Sequence, residues 1–152
     1  MHLSDYLFSP QGRVNRAKYW LYLVVSIVII IVFLAVASVV WARQLYDPRG
    51  GLIFAPGALV AFGVVYVVLL VVGIFVGIKR LHDRDKSGWW LLLFYLVPMV
   101  LSWISAILSR NGIGALFALG SLIVSIWALV ELGFRRGTAG PNQYGEDPLA
   151  RA

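Results

Sequence analysis

The sequence contains no cysteine, which excludes disulfides, thiolate metal sites, cysteine nucleophiles and cysteine-borne lipid anchors. It is also poor in charge. Only 13% of its 152 residues are Asp, Glu, Lys or Arg, where soluble domains carry about 25%. Its two histidines, His2 and His82, stand far apart in the chain, so an imidazole-based metal set has little to draw on. What is abundant is apolar: 61% of the residues are hydrophobic, against about 45–50% in soluble domains. One core of a chain this size cannot absorb so many apolar side chains, whereas lipid can. A net charge of +6 ordinarily invites a nucleic-acid reading. Here the cations flank apolar runs instead of forming one broad patch, so membrane orientation accounts for them better and no nucleic-acid partner is expected.

Four runs are long enough to cross a hydrocarbon core, which takes about 20 helical residues: residues 19–42, 58–78, 89–108 and 113–134. Val, Ile and aromatic residues favour strands in water. In a bilayer each backbone group must find its partner within its own segment or a closed barrel, and runs of this length read as helices. The links between the runs are short, which favours antiparallel neighbours. The expected fold is an all-α membrane protein: a four-transmembrane-helix bundle forming a single domain, 1–152, with a polar tail at 135–152. Leu21–Leu34 followed by Ala35-Val36-Ala37 is similar to a secretory signal. The polar stretch 1–18 before it and the continued apolar run after it read instead as a retained first span. Pro98 lacks the N–H that would reach the Phe94 carbonyl and should kink the third span. Spans one and three open on a basic stretch with an aromatic pair, and spans two and four close on a basic pair. A duplicated hairpin would give this pattern, but the flanking-charge rule imposes it on any such topology and is preferred.

Arg13, Arg16 and Lys18 precede the first span, Lys79, Arg80, Arg84 and Lys86 lie between the second and third, and Arg135, Arg136 and Arg151 follow the fourth. Arg43, Arg49 and Arg110 are all that the other side holds. The positive-inside rule therefore puts both termini in the cytoplasm. Tyr19-Trp20, Trp41 and Trp89-Trp90 mark the same boundaries, where amphipathic rings prefer the headgroup level.

The densest polar stretch runs from Lys79 to Trp90. Its cations suit the negative end of a helix dipole, and Lys79 and Asp83 are spaced to pair if the helix continues. Asp85 or Ser87 is a plausible N-cap for the third span. The stretch reads first as a turn anchoring a hairpin at the interface. It reads second as a surface of Arg80, His82, Asp83, Arg84, Lys86 and Trp89 that receives an anionic lipid headgroup or a partner protein. One imidazole with two nearby carboxylates makes a poor ligand set, so no metal, cofactor or catalytic residue is expected. Glu131, the one ionisable residue inside a span, sits about a turn from Arg135, and pairing with it or with Arg80 explains it without transport. Arg13, Arg16, Asp85, Glu131 and Tyr144 are expected to form a structural cytoplasmic cap, the arginines facing the carboxylates. Gly73 with Gly77, and Gly114 with Ala118, allow close helix approach within the chain or between copies in a homo-oligomer.

Three blocks carry a family resemblance: Phe8, Gly12-Arg13, Arg16 and Tyr19-Trp20; Arg80-Leu81-His82-Asp83 with Lys86-Ser87-Gly88-Trp89-Trp90; and Asn142, Tyr144-Gly145 and Pro148. In these the chain resembles the bacterial family known as domain of unknown function 805. The resemblance implies four spans and a bacterial inner membrane, and it brings no activity, substrate or catalytic residue. Asp85 stands where the family usually has glycine, which suggests a left-handed turn that aspartate tolerates better than most residues. The functional expectation is a non-enzymatic, multi-pass inner-membrane protein with a cytoplasmic interfacial surface. The alternative is a small transporter or channel component, for which Ser102, Ser105, Ser121 and Ser125 offer only a thin polar lining. The orientation is checked by fusing reporters to the C-terminus. One that works only in the cytoplasm should be active there, and activity of a periplasm-only reporter would overturn the orientation or the span count.

Overall fold

Apolar chain in lipid has to close its own backbone hydrogen bonds, and four helices of the computed structural model are long and apolar enough to cross a membrane while doing so. The structure describes residues 3–40, 46–47, 51–52, 56–109 and 112–150. His2, Trp41, Ala42, Arg43, Arg49, Arg110 and Arg151 lie outside the described residues, and with them the expected end of the first span. A short helix, α1 (Leu3–Phe8), precedes α2 (Arg16–Val40). Two two-residue strands, β1 (Tyr46–Asp47) and β2 (Gly51–Leu52), pair antiparallel with Tyr46 opposite Leu52. Then come α3 (Pro56–Asp83), α4 (Trp90–Ile107) and α5 (Gly114–Leu129), the last running on into a π-helical turn, Val130–Phe134.

Two boundaries depart from the hydropathy expectation, each for a polar reason. Helix α2 starts at Arg16 because the Asn15 carboxamide accepts the backbone N–H of Lys18 at 2.9 Å, the bond of an N-cap. Helix α3 does not stop with its apolar run at Ile78 but continues to Asp83. Its end is a Schellman turn: Lys86 N–H reaches the Leu81 carbonyl at 2.9 Å and Asp85 N–H that of His82 at 3.0 Å, with Asp85 left-handed at φ 56°. Asp85 therefore closes α3 instead of capping α4. Ser87 offers α4 only its backbone carbonyl, 3.2 Å from Trp90 N, and no side chain caps that helix.

Contacts group the chain into two compact units, residues 21–73 and residues 1–20 with 74–152. In the first, Tyr22 donates its hydroxyl to the Leu69 carbonyl at 2.6 Å. The tyrosine fits because residue 73 is glycine: a Cβ there would lie 2.7 Å from the Tyr22 oxygen. Phe33, Phe62 and Tyr66 continue the packing with ring centroids about 6 Å apart.

In the second unit α4 and α5 form an antiparallel hairpin. Trp127 meets Trp90 and Phe94 edge-on at 5.9 and 5.2 Å. Midway, Ser121 donates to the Pro98 carbonyl at 3.0 Å and shares a 2.9 Å bond with Ser102, so these two serines hold the hairpin together. Gly77 makes room for Leu91, whose Cδ1 would lie 2.8 Å from an added Cβ. The space at both Gly73 and Gly77 is thus filled by side chains of the same chain.

The burial pattern is the reverse of a soluble protein's. The largest fully buried side chains are Arg80, Lys79, Leu81, Glu131, Val14 and Val76, while large apolar residues along every span, such as Ile31, Val64, Trp103 and Leu116, face outward. Lipid covers the second group, and the protein must satisfy the first itself. The hairpin's tightest point gives a test. A Cβ on Gly114 would sit 2.5 Å from the Ser105 backbone oxygen, whereas one on Gly63 meets nothing within 4 Å. Gly114→Ala should lower stability by about 1–3 kcal/mol through overpacking. Gly63→Ala should leave it unchanged or raise it by up to about 1 kcal/mol. Unfolding midpoints of the purified variants in mild detergent decide between these outcomes.

Candidate functional site

The polar side chains of the second unit converge at the end where α2 begins and α3 and the π turn end. The N-terminal segment lies against α3 there: Val14, fully buried, donates its N–H to the Lys79 carbonyl at 3.2 Å. That places Arg13 over the last turn of α3. Its Nε and Nη2 reach Asp83 Oδ1 at 3.2 and 3.1 Å, and the other Asp83 oxygen pairs with Arg80 Nη1 at 2.5 Å. Asp83 thus sits between two guanidiniums, with all three side chains at least 97% buried.

Ion pairs this dry are stable only if the remaining donors are also bonded, and here backbone carbonyls complete them. Arg13 donates to Thr138 O at 2.6 Å, Gly140 O at 2.7 Å and Gly145 O at 3.2 Å. Arg80 donates to Leu132 O at 2.6 Å and to the Arg135 carbonyl. Among the described residues no buried side-chain nitrogen or oxygen lacks a partner. The planar five-donor fork of arginine suits this double duty, which an ammonium could not perform in the same geometry.

The second carboxylate is Glu131. Its Oε1 takes Arg84 Nε and Lys86 Nζ, each at 3.2 Å, and its Oε2 takes Arg135 at 3.0 Å. The i,i+4 partner expected for Glu131 is present, while Arg80 is committed to Asp83. The π turn makes this possible. A helix leaves its last carbonyls unbonded, and here Leu132 O takes Arg80, Gly133 O takes the Trp20 indole at 2.9 Å, and Arg136 O takes Arg84. Cations at a helix C-terminus also complement its dipole.

The C-terminal tail closes over the assembly. Thr138 N–H bonds the Asp83 carbonyl at 2.8 Å, and Asn142 donates to His82 O at 2.8 Å. The Tyr144 ring stacks flat on His82 with centroids 3.8 Å apart. His82 Nδ1 lies 3.3 Å from the Gly12 carbonyl, a contact that requires the proton on Nδ1. Gly137 passes so close to Asp83 that an added Cβ would run into its carboxylate. Asp147 folds the tail on itself, accepting N–H bonds from Leu149 at 2.9 Å and Gly140 at 3.0 Å. Those bonds hold its carboxyl below the ordinary carboxylate range.

The sequence-derived surface and cap are therefore arranged differently from their spacing in the chain. Arg80, Asp83 and most of Arg84 lie inside the protein, and His82 is covered on one face by Tyr144. Lys86 sits 4.4 Å over the Trp90 ring, and Trp89 stands 77% exposed. Lys79 takes the Tyr6 carbonyl at 2.5 Å instead of pairing with Asp83. Arg13 faces Asp83, whereas Arg16 is exposed and Asp85 meets Gln143, at 3.2 Å on the surface. Thr138, Gly137 and the Trp20–Gly133 bond carry no sequence signal of their own. Among the described residues no three His, Cys, Asp or Glu side chains come together as a metal set.

Removing one partner of a buried pair strands the others. Asp83→Asn should therefore cost about 3–5 kcal/mol, seen as a lowered unfolding midpoint. Asp85→Gly, which relieves a left-handed residue, should be neutral or stabilising by up to about 1 kcal/mol. Equal midpoints for wild type and Asp83→Asn would contradict the central place given to that carboxylate.

The sequence model of the family described as Protein of unknown function (DUF805) matches residues 7–146. The uncharacterized protein YiiR of Escherichia coli (strain K12) is 30% identical over 147 residues, covering 97% of this chain and 90% of the relative. Inner membrane protein YhaH of the same organism is 28% identical over 144 residues, covering 91% and 85%. Inner membrane protein YhaI is 23% identical over 138 residues, covering 90% and 83%. No solved structure matches the chain.

Proposed function

The chain belongs to the DUF805 family, and from that premise we propose that it is a non-enzymatic, multi-pass protein of the bacterial inner membrane, a single domain with both termini in the cytoplasm, whose cap presents an interfacial surface to membrane lipid. Two of the E. coli relatives are named inner membrane proteins, which supports the location. The observation that carries the reading is how the cap uses its charges. Asp83 and Glu131, the carboxylates that acid–base chemistry would need, are each held by two or more cations and buried. Groups so paired fix structure, and little of them is accessible: 3% of the Asp83 side chain and none of that of Glu131. Outward the cap offers Trp89, Arg16, Arg136 and the edge of Lys86, beside the exposed carboxylates Asp85 and Glu146. Indole and guanidinium at the end of a span suit the headgroup layer.

Reconstitution into sealed vesicles tests this against transport. The protein should leave the leak of ions and small neutral solutes unchanged, as protein-free vesicles do. Protein-dependent flux that saturates with solute would replace the proposal with a small transporter.

A further inference from the structure

Beside the buried ion pairs lies an open recess of about 520 Å³ whose lining includes Arg16 and Arg136 together with Asn15, Thr138, Asp147 and Leu149. Both arginines are exposed, and neither has an ion-pair partner among the described residues. Every other arginine described makes at least one ion pair with a carboxylate. The backbones that carry these two are nevertheless fixed. Arg16 is the first residue of α2, just after the Asn15 cap, and the Arg136 carbonyl is held by Arg84. We propose that this recess binds a phosphate group, with Arg16 and Arg136 as its two cationic contacts. The inference rests on the interfacial-surface reading above and names its ligand class.

Depth points to the same ligand. Arg16 begins one span and Arg136 follows another by two residues, and the Trp20 indole ties the two ends together through Gly133 O and an edge-on contact with Phe134 at 5.6 Å. Both guanidiniums therefore stand at one membrane boundary, at the level of lipid phosphates. The apolar side of the recess, Ala17, Ala139 and a half-exposed Leu149, suits a glycerol backbone or the start of an acyl chain. Charge favours an anion even against Asp147, because Asp83 is already outnumbered by Arg13 and Arg80 and Asp147 stands alone against Arg16 and Arg136. Two guanidinium forks converging on one anion match the spread of phosphate oxygens better than a single carboxylate. A volume of this size falls within the range of small-ligand sites.

The same chemistry is carried by an anionic lipid or by a soluble phosphate ester, and the full-length protein separates the two sources. In native mass spectrometry from detergent, phosphatidylglycerol should be retained over phosphatidylcholine. Arg16→Gln with Arg136→Gln should abolish that preference, at roughly fivefold for each cation removed. Lys18→Gln, an exposed cation nearby that does not line the recess, should leave the preference intact. Thermal stabilisation by glycerol 3-phosphate or inorganic phosphate, lost in the double variant and without lipid preference, would assign the site to a soluble ester. An unchanged preference in the double variant, or an equal loss in Lys18→Gln, would overturn the site. Neither result touches the vesicle-flux test, so the site and the wider reading fail separately. Unfolding midpoints of the double variant, expected to equal wild type because both side chains are exposed, guard against a folding artefact.

Discussion

Asp83 placed between Arg13 and Arg80 is the contact on which the rest of the cap depends. Lipid tails are as apolar as leucine, so burying apolar faces against one another gains little inside a membrane. Specific association must come from close packing and from polar groups that find partners. The Asp83 carboxylate draws Arg13 onto the end of α3, and Arg13 in turn collects the carbonyls of Thr138, Gly140 and Gly145. One ion pair thus fixes three parts of the chain that lie far apart in sequence. A buried pair is not by itself strong evidence for stability, since desolvation offsets most of its attraction. Its effect here is on register: in this arrangement one carboxylate and the surrounding backbone carbonyls satisfy two buried guanidiniums at once.

The π turn is the complementary device. An α-helical ending at Phe134 would aim its last carbonyls along the axis, where several compete for the same few donors. In the widened turn Leu132 and Gly133 each meet a different side chain, Arg80 and Trp20, and just beyond it the Arg136 carbonyl meets Arg84. The turn also aims Glu131 inward with its two oxygens divided among Arg84, Lys86 and Arg135. Local widening of this kind is common at functional sites. In this chain the same geometry that builds the lock also sets the backbone of Arg136 beside the open recess.

The four helices and the identity of the polar end were legible from the sequence because hydropathy over about 20 residues is a strong, local signal. The left-handed turn at Asp85 was legible too, through the glycine that the family usually places there, and its φ of 56° agrees. Which cation meets which carboxylate was not. Lys79 and Asp83 are correctly spaced on one helix, yet Arg13, 70 residues away, takes Asp83. Tertiary placement decides such contests, and a helical spacing rule is blind to it. The spacing also misleads at Asp85: as an N-cap its carboxylate would accept an N–H of α4, but its own N–H bonds the His82 carbonyl and that of Lys86 the Leu81 carbonyl, which makes it the end of α3. Sequence drew attention to Arg80 as an outward cation for the same reason. A cation near a span end reads as topogenic or lipid-facing until the structure shows its guanidinium committed to Asp83, Leu132 and Arg135.

The proposed orientation and the proposed recognition draw on the same cations. Inside the cap, Asp83 faces two cations and Glu131 faces three. The buried pairs by themselves therefore carry a positive surplus, to which Arg16 and Arg136 add and against which Asp85, Glu146 and Asp147 count. The positive-inside rule counts the lysines and arginines themselves and hardly the carboxylates, whereas a field at the headgroup layer depends on the difference between them. A balanced cap, with one carboxylate for each cation, would keep the lysines and arginines on which the proposed orientation rests but would lose the field that attracts anions. The two buried carboxylates are each held by more than one cation, while Asp85 meets the Gln143 amide and Asp147 accepts backbone N–H groups. The excess positive charge of the buried pairs thus follows from how the cap is built, and it adds to the attraction on which the proposed phosphate site draws.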